Sequence, residues 1–203
     1  MKHCIFDLGN VLFRFDLVHI LAHRFEPKVA EEIAPIFFDR RIWDRMDDGT
    51  ISDQDAKQAI CDLLPPEYHR GAREVYDAWP DLLYPVAGMP EFVRELKEKG
   101  HKLYLLSNIS IGFVEQSMKN PMYREVFDLF DGLVFSGPIG ITKPKPEIFE
   151  YLLHTYHLRA QDCIFIDDSP VNIAGAGAVG IDAILFEGDA GKLRTILQAK
   201  LKA

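Results

Sequence analysis

At 203 residues, 48% hydrophobic and 27% charged, the chain has the composition of an ordinary globular protein of one domain, or of one domain with a small insert. A formal charge of −8 argues against nucleic acid as a partner, because phosphate backbones are held by clustered Lys and Arg. No run approaches the roughly 18 apolar residues that cross a bilayer, so no membrane partner is expected. The first residues read as a strand instead of a signal peptide. Cys4, Cys61 and Cys163 are widely spaced and odd in number, so neither a disulfide framework nor a zinc site is expected, and a reducing cytoplasm fits.

The first element is the apolar run Cys4-Ile5-Phe6, ended by Asp7 and a turn at Gly9-Asn10. It is too short for a helix and has no polar face, which is the pattern of a buried parallel strand. Residues 13–16 alternate and read as a short flap. From 17 to 83 only helical spacing occurs, in 17–25, 29–38, 52–64 and 67–78, with Asp48-Gly49 and Pro65-Pro66 as punctuation and Ser52 with Asp55 as a helix start. Residues 85–90 form a returning linker, and a helix over 91–99 stops at Gly100. A strand over 102–106 runs into Ser107-Asn108. Helical stretches at 111–119 and up to 130 break at Pro121, and 133–136 reads as a strand. A helix over 146–156 starts with proline, where the missing N–H costs nothing. The strand 163–166 ends in Asp167-Asp168-Ser169, and a helix over 171–178, a strand over 182–186 and a helix over 192–200 complete the chain. Alternating strands and helices predict an α/β fold with a doubly wound parallel sheet, its Rossmann-like core at 1–16 and 84–203. Residues 17–83 are expected to form an inserted four-helix cap.

Open α/β sheets bind ligands at the carboxyl ends of their strands. There the sequence delivers Asp7, Ser107-Asn108 and Asp167-Asp168, with Lys143-Pro144-Lys145-Pro146 between the last two. Singly, each has an ordinary reading: a turn, a solvated loop, or a helix cap. In this order they resemble the haloacid dehalogenase superfamily, whose members are mostly phosphatases and which inserts a cap between the first two motifs. The resemblance implies an Asp7 nucleophile that forms an aspartyl-phosphate. It implies Mg²⁺ held by Asp7, the Gly9 carbonyl and Asp168, with Asp167 supporting that set from behind. Lys143 would supply fixed positive charge, and Ser107 and the Asn108 N–H would donate to the phosphoryl oxygens. The expected substrate is a small phosphorylated metabolite.

One position departs from that pattern. Most phosphatases of the superfamily carry a second Asp two residues after the nucleophile, as general acid and base. Here Gly9 stands there and transfers no proton. The Asp-Leu-Gly-Asn form resembles a branch that includes sugar-1-phosphate phosphatases, where an anomeric oxygen leaves more easily than an ordinary alkoxide. Two alternatives stay open: a 2-haloacid dehalogenase-type hydrolase, whose resembled members carry an aromatic at the Gly9 position, and a non-catalytic phospho-ligand-binding protein. Arg40, Arg41, Trp43 and Arg45, with Arg14 and Phe15 on the flap, are either substrate contacts or helix surface around one buried Trp. His19 with His23, and His154 with His157, lack a third ligand and read as solvated helix faces. Gly175-x-Gly177-x-x-Gly180 follows a helix start instead of opening one, so it reads as close helix packing.

Overall fold

The computed structural model describes residues 2–202. Among these lie seven strands: β1 (His3–Phe6), β2 (Phe13–Arg14), β3 (Tyr84–Pro85), β4 (Leu103–Ser107), β5 (Gly132–Phe135), β6 (Cys163–Asp167) and β7 (Asp182–Leu185). Five of them make a parallel sheet of order β5-β4-β1-β6-β7. The chain leaves the central strand β1 toward β4 and β5, then returns to the other side of β1 for β6 and β7. That reversal leaves a crevice at the carboxyl end of β1, and the ends of β4 and β6 flank it.

The strands form where they do because each is apolar on both faces. Cys4, Phe6, Leu103, Leu105, Ile164 and Ile166 point into one hydrophobic layer, and Ile5, Tyr104, Leu106, Cys163 and Phe165 into the other. The first layer is covered by α6 (Met89–Glu98), α7 (Ile111–Ser117), α8 (Pro121–Phe127) and α12 (Ala190–Lys202), the second by α10 (Pro146–Thr155) and α11 (Pro170–Ala178). The short helix α9 (Ser136–Ile139) follows β5 directly, so Ser136 begins a helix where the sequence reads as strand. All three cysteines are buried free thiols, and the four noted histidines are exposed. No helix of the described residues is long and apolar enough to cross a membrane.

The insert carries α1 (Leu17–Leu21), α2 (Pro27–Phe37), α3 (Arg40–Asp47), α4 (Asp53–Leu63) and α5 (His69–Ala78). The four expected stretches are there, and α3 adds a fifth helix. It escapes sequence periodicity because eight residues with only Ile42, Trp43 and Met46 buried give too short a stripe to count. The Ser52 hydroxyl caps α4 by accepting from Asp55 N, and it donates back to the Asp55 carboxylate at 2.7 Å. The chain enters and leaves the insert side by side, because β2 and β3 pair antiparallel, Phe13 with Pro85 and Arg14 with Tyr84. The expected linker at Pro85 is therefore half of a ladder. The insert is also tied to the core by the Asp53 carboxylate, which accepts from Ser110 Oγ at 2.9 Å and from Gly112 N at 3.0 Å. The Tyr123 hydroxyl donates to the Pro80 carbonyl nearby.

Candidate active site

Asp7 follows β1 directly, and its N–H donates to the Ile166 carbonyl of β6 at 2.9 Å. Its carboxylate meets Lys143 Nζ at 2.7 Å, and the same ammonium reaches Asp167 Oδ2 at 2.7 Å. The Lys143 side chain is 1% exposed and that of Asp167 0%, so this is a buried triad of one ammonium and two carboxylates. Carboxylate oxygens of Asp7, Asp167 and Asp168 all lie within 4.8 Å of one another. Asp167 accepts three further hydrogen bonds from two residues: Ser169 N donates to Oδ1 at 2.8 Å, and Asn172 Nδ2 donates to both oxygens at 3.1 Å.

The charges do not balance. Three carboxylates share one ammonium, in a setting where an uncompensated buried charge is costly. Burial pushes the Asp7 carboxyl above its ordinary range and Asp167 adds to the push, while Lys143 pulls it back. Asp168 is raised by burial and then by Asp167, with an Asn10 hydrogen bond acting against both. Burial would depress Lys143, but Asp7 and Asp167 outweigh it and hold the ammonium above its usual value. A divalent cation is the natural complement of such a set, because it takes hard carboxylate and carbonyl oxygens. The Gly9 carbonyl accepts no backbone hydrogen bond among the described residues, so it too is open to a ligand.

The lysine is placed by its backbone. Asn108, just past β4, donates from Nδ2 to the Lys143 carbonyl at 2.9 Å and accepts from Lys143 N at 2.7 Å. On the other side Gly175 lets α11 approach the same loop: a Cβ there would lie 2.5 Å from the Pro144 carbonyl oxygen. Of the three spaced glycines, Gly175 is the one that packs closely; a Cβ on Gly177 would meet nothing. Asp7, Gly9, Ser107, Asn108, Lys143 and Asp168 all line one cavity of about 660 Å³. The insert roofs it with Phe38, Arg40, Trp43 and Asp47, and the flap adds Phe15. The Trp43 N–H donates to the Phe37 carbonyl at 2.8 Å, so only the ring's apolar surface is left for the cavity. Arg41, Arg45 and Arg14 are not in the wall; Arg41 pairs with Asp39 at the surface.

A family description, haloacid dehalogenase-like hydrolase, matches residues 1–180. The chain belongs to the haloacid dehalogenase-like hydrolases. Among relatives of this hydrolase, a sesquiterpene phosphatase of Aspergillus oryzae is 28% identical over 180 residues, 89% of this chain and 87% of the relative. A D-ribitol-5-phosphate phosphatase of Bacteroides thetaiotaomicron is 24% identical over 94% of both chains. A haloacid dehalogenase family enzyme from Bacteroides thetaiotaomicron, solved in complex with magnesium and inorganic phosphate, superimposes with a TM-score of 0.73 at 23% identity, covering 95% of this chain and 98% of that one.

Three residues of this hydrolase's site have contacts that the sequence does not convey. Asn10 has φ 55°, a left-handed conformation that Asn tolerates better than most residues, and its side chain accepts from Phe15 N at 3.1 Å. The Gly-Asn turn signals the bend but not the contact to Asp168. Asn172 lies in the first turn of α11, visible only once Asp167 is known to need donors. Asp47 stands 40 residues from Asp7, and only the fold of the insert brings it to the cavity.

Proposed function

We propose that the chain is a Mg²⁺-dependent phosphatase that hydrolyses a small phosphomonoester through an aspartyl-phosphate on Asp7. The carrying observation is the cluster at the sheet's switch point: three carboxylates within 4.8 Å of one another, with a single buried lysine between two of them. Asp7, the Gly9 carbonyl and Asp168 would hold the cation, and Asp167 would keep Lys143 and the Asp168 loop in place. When bound, the ion would offset the charge that a phosphate dianion brings against Asp7.

Asp7 attacks phosphorus in line with the ester oxygen, and an acyl-phosphate replaces the ester. Lys143 keeps its charge on Asp7 and on the transferring group, already placed and requiring no reorganisation. The Ser107 hydroxyl and the backbone N–H of Asn108 donate to the phosphoryl oxygens, since the Asn108 side-chain amide is committed to Lys143. Water then cleaves the acyl-phosphate and restores Asp7.

Residues 17–83 act as the cap and set the substrate range, with 1–16 and 84–203 as the chemical core. Phe15, Phe38 and Trp43 with Arg40 form a wall suited to a compact organic group that packs against aromatic faces. A sugar phosphate fits the Asp-Leu-Gly-Asn signature. The relatives named for a sesquiterpene and a ribitol phosphate support phosphate-ester chemistry across different leaving groups. Buried free thiols accord with a reducing cytoplasm.

A panel of phosphomonoesters assayed with and without Mg²⁺ tests the reading. Metal-dependent phosphate release is expected, abolished in Asp7→Asn. Absence of turnover across the panel, or undiminished turnover in Asp7→Asn, would refute it. Metal-independent chloride release from 2-haloacids would instead identify a dehalogenase.

A further inference from the structure

Cleaving an alkyl phosphate requires a proton for the departing oxygen, and the second step requires a base for the attacking water. The titratable side chains in the cavity wall are Asp7, Arg40, Asp47, Lys143 and Asp168. Asp7 is the nucleophile and Asp168 belongs to the cation set. Lys143 is fixed between two carboxylates, and a guanidinium does not give up its proton. Gly9, beside the nucleophile, has no side chain. One carboxyl is left over.

We propose that Asp47, the last residue of α3, is the general acid and base of this phosphatase. Packing and a backbone hydrogen bond hold it in place. Ile42, Trp43 and Met46 bury one side of α3, and the Asp47 carbonyl accepts from Ser136 Oγ at 2.5 Å, which pins the end of the helix to α9 of the core. The turn that follows is closed by the Asp48 carboxylate, which accepts from Thr50 N at 3.0 Å and Thr50 Oγ1 at 2.6 Å. The Asp47 carboxylate itself takes part in no ion pair or hydrogen bond among the described residues; the neighbouring Arg40 is paired with Asp44 at 2.6 Å. A partly buried carboxyl in the wall of the reaction cavity, with no structural partner, is free to exchange protons with whatever fills that cavity.

The local charges support the role. Burial pushes this carboxyl up to about 7, with Arg40 opposing, Asp44 adding, Lys143 opposing and Asp7 adding. An acid that titrates near neutrality can both give and retake a proton in one cycle. In the first step Asp7 forms a bond to phosphorus, the ester P–O bond breaks, and the Asp47 proton passes to the leaving oxygen to give the alcohol. In the second, water attacks the acyl-phosphate, its proton returns to the Asp47 carboxylate, the bond to Asp7 breaks, and inorganic phosphate leaves. Asp7 and protonated Asp47 are regenerated.

The assignment rests on the phosphatase reading, and two esters of similar shape separate the two. 2-Phenylethyl phosphate has a poor leaving group and depends on the acid; p-nitrophenyl phosphate has a good one and does not. Asp47→Asn is expected to lower kcat on the phenylethyl ester by roughly a hundred- to ten-thousand-fold, the usual span of general acid–base help. With p-nitrophenyl phosphate the same variant is expected to release a stoichiometric burst of nitrophenolate and then turn over slowly, because only the second step has lost its base. Asp47→Glu keeps the carboxyl and is expected to retain more phenylethyl ester turnover than Asp47→Asn. Adding Gly9→Asp to Asp47→Asn is expected to restore part of that turnover, since a Cβ at Gly9 meets nothing within 4 Å. Equal loss on both esters without a burst, no loss on either, or Asp47→Glu below Asp47→Asn would overturn the role of Asp47 while leaving the phosphatase reading intact. Failure of the unmodified protein to hydrolyse either ester, or any other in the panel, would overturn both.

Discussion

Replacing Asn108 tests whether the lysine is positioned through its backbone. The amide makes two hydrogen bonds, 2.9 Å to the Lys143 carbonyl and 2.7 Å from the Lys143 N–H, and so ties the end of β4 to a loop 35 residues away. Asn108→Ala removes both. At about 1 kcal/mol net for each bond, with water able to reach the half-buried backbone groups it leaves, the expected loss is about 2 kcal/mol of folding stability. Asn108→Asp is the sharper change. One oxygen still accepts from the Lys143 N–H, but the other now faces the Lys143 carbonyl, acceptor against acceptor, and a further negative charge enters a site already short of cations. Its kcat is expected to fall at least as far as that of Asn108→Ala, despite the closer match in shape. Urea unfolding without metal gives the stability change, and phosphate release under saturating ester gives kcat. Both variants within about 0.5 kcal/mol of the unmodified protein and with undiminished kcat would refute the positioning role.

Two further outcomes follow from the packing and the charges. Gly175→Ala is expected to lower stability by about 1–3 kcal/mol, because its Cβ would sit 2.5 Å from the Pro144 carbonyl oxygen and force α11 or the Lys143 loop to move. Gly177→Ala, two residues along the same helix and meeting nothing, is expected to gain up to about 1 kcal/mol from helix propensity. Thermal melts that rank the two the other way would contradict this packing. Burial would raise Asp131, but hydrogen bonds from Lys102 at 2.7 Å, Lys97 at 2.7 Å and the Leu103 N–H at 3.0 Å outweigh it and hold the carboxyl down at about 2, against an ordinary 3.8. A depressed folded-state pKa gives stability that is whole above about pH 4 and is lost as the pH falls toward about 2, here worth about 1–2 kcal/mol after allowing for the partly exposed lysine ends. Asp131→Asn is expected to flatten that acid limb in pH-dependent urea unfolding, and an unchanged slope would refute the assignment.

Much of the sheet and its reactive ends is legible in the sequence, for a physical reason. A strand buried on both faces must be an unbroken apolar run, so its end is conspicuous, and what stands there is Asp7, Ser107 or Asp167. Lys143 is marked by its prolines and by its place between two such strands. The insert is harder to read. Helix α3 offers three buried residues in eight, and Arg40, Arg41 and Arg45 hide the stripe among surface charge. Asp47, beside Asp48-Gly49, belongs to no local pattern, because its relation to Asp7 exists only in three dimensions. Asn108 is legible as a site residue, but its amide faces the Lys143 backbone, which no local pattern conveys. Pairing of Tyr84-Pro85 with Phe13-Arg14 joins residues some 70 positions apart, beyond any short-range signal.

The two-rung ladder at the neck of the insert makes its termini neighbours, so nothing in the sheet's register depends on how many residues lie between them. Such a neck lets the length or make-up of the lobe change while the strands of the parallel sheet keep their places. In this chain that freedom is restricted. A transplanted lobe would carry away, along with Phe38, Arg40 and Trp43 of the cavity wall, the one carboxyl proposed to deliver the proton, so under that proposal an exchange of lobes exchanges the acid as well.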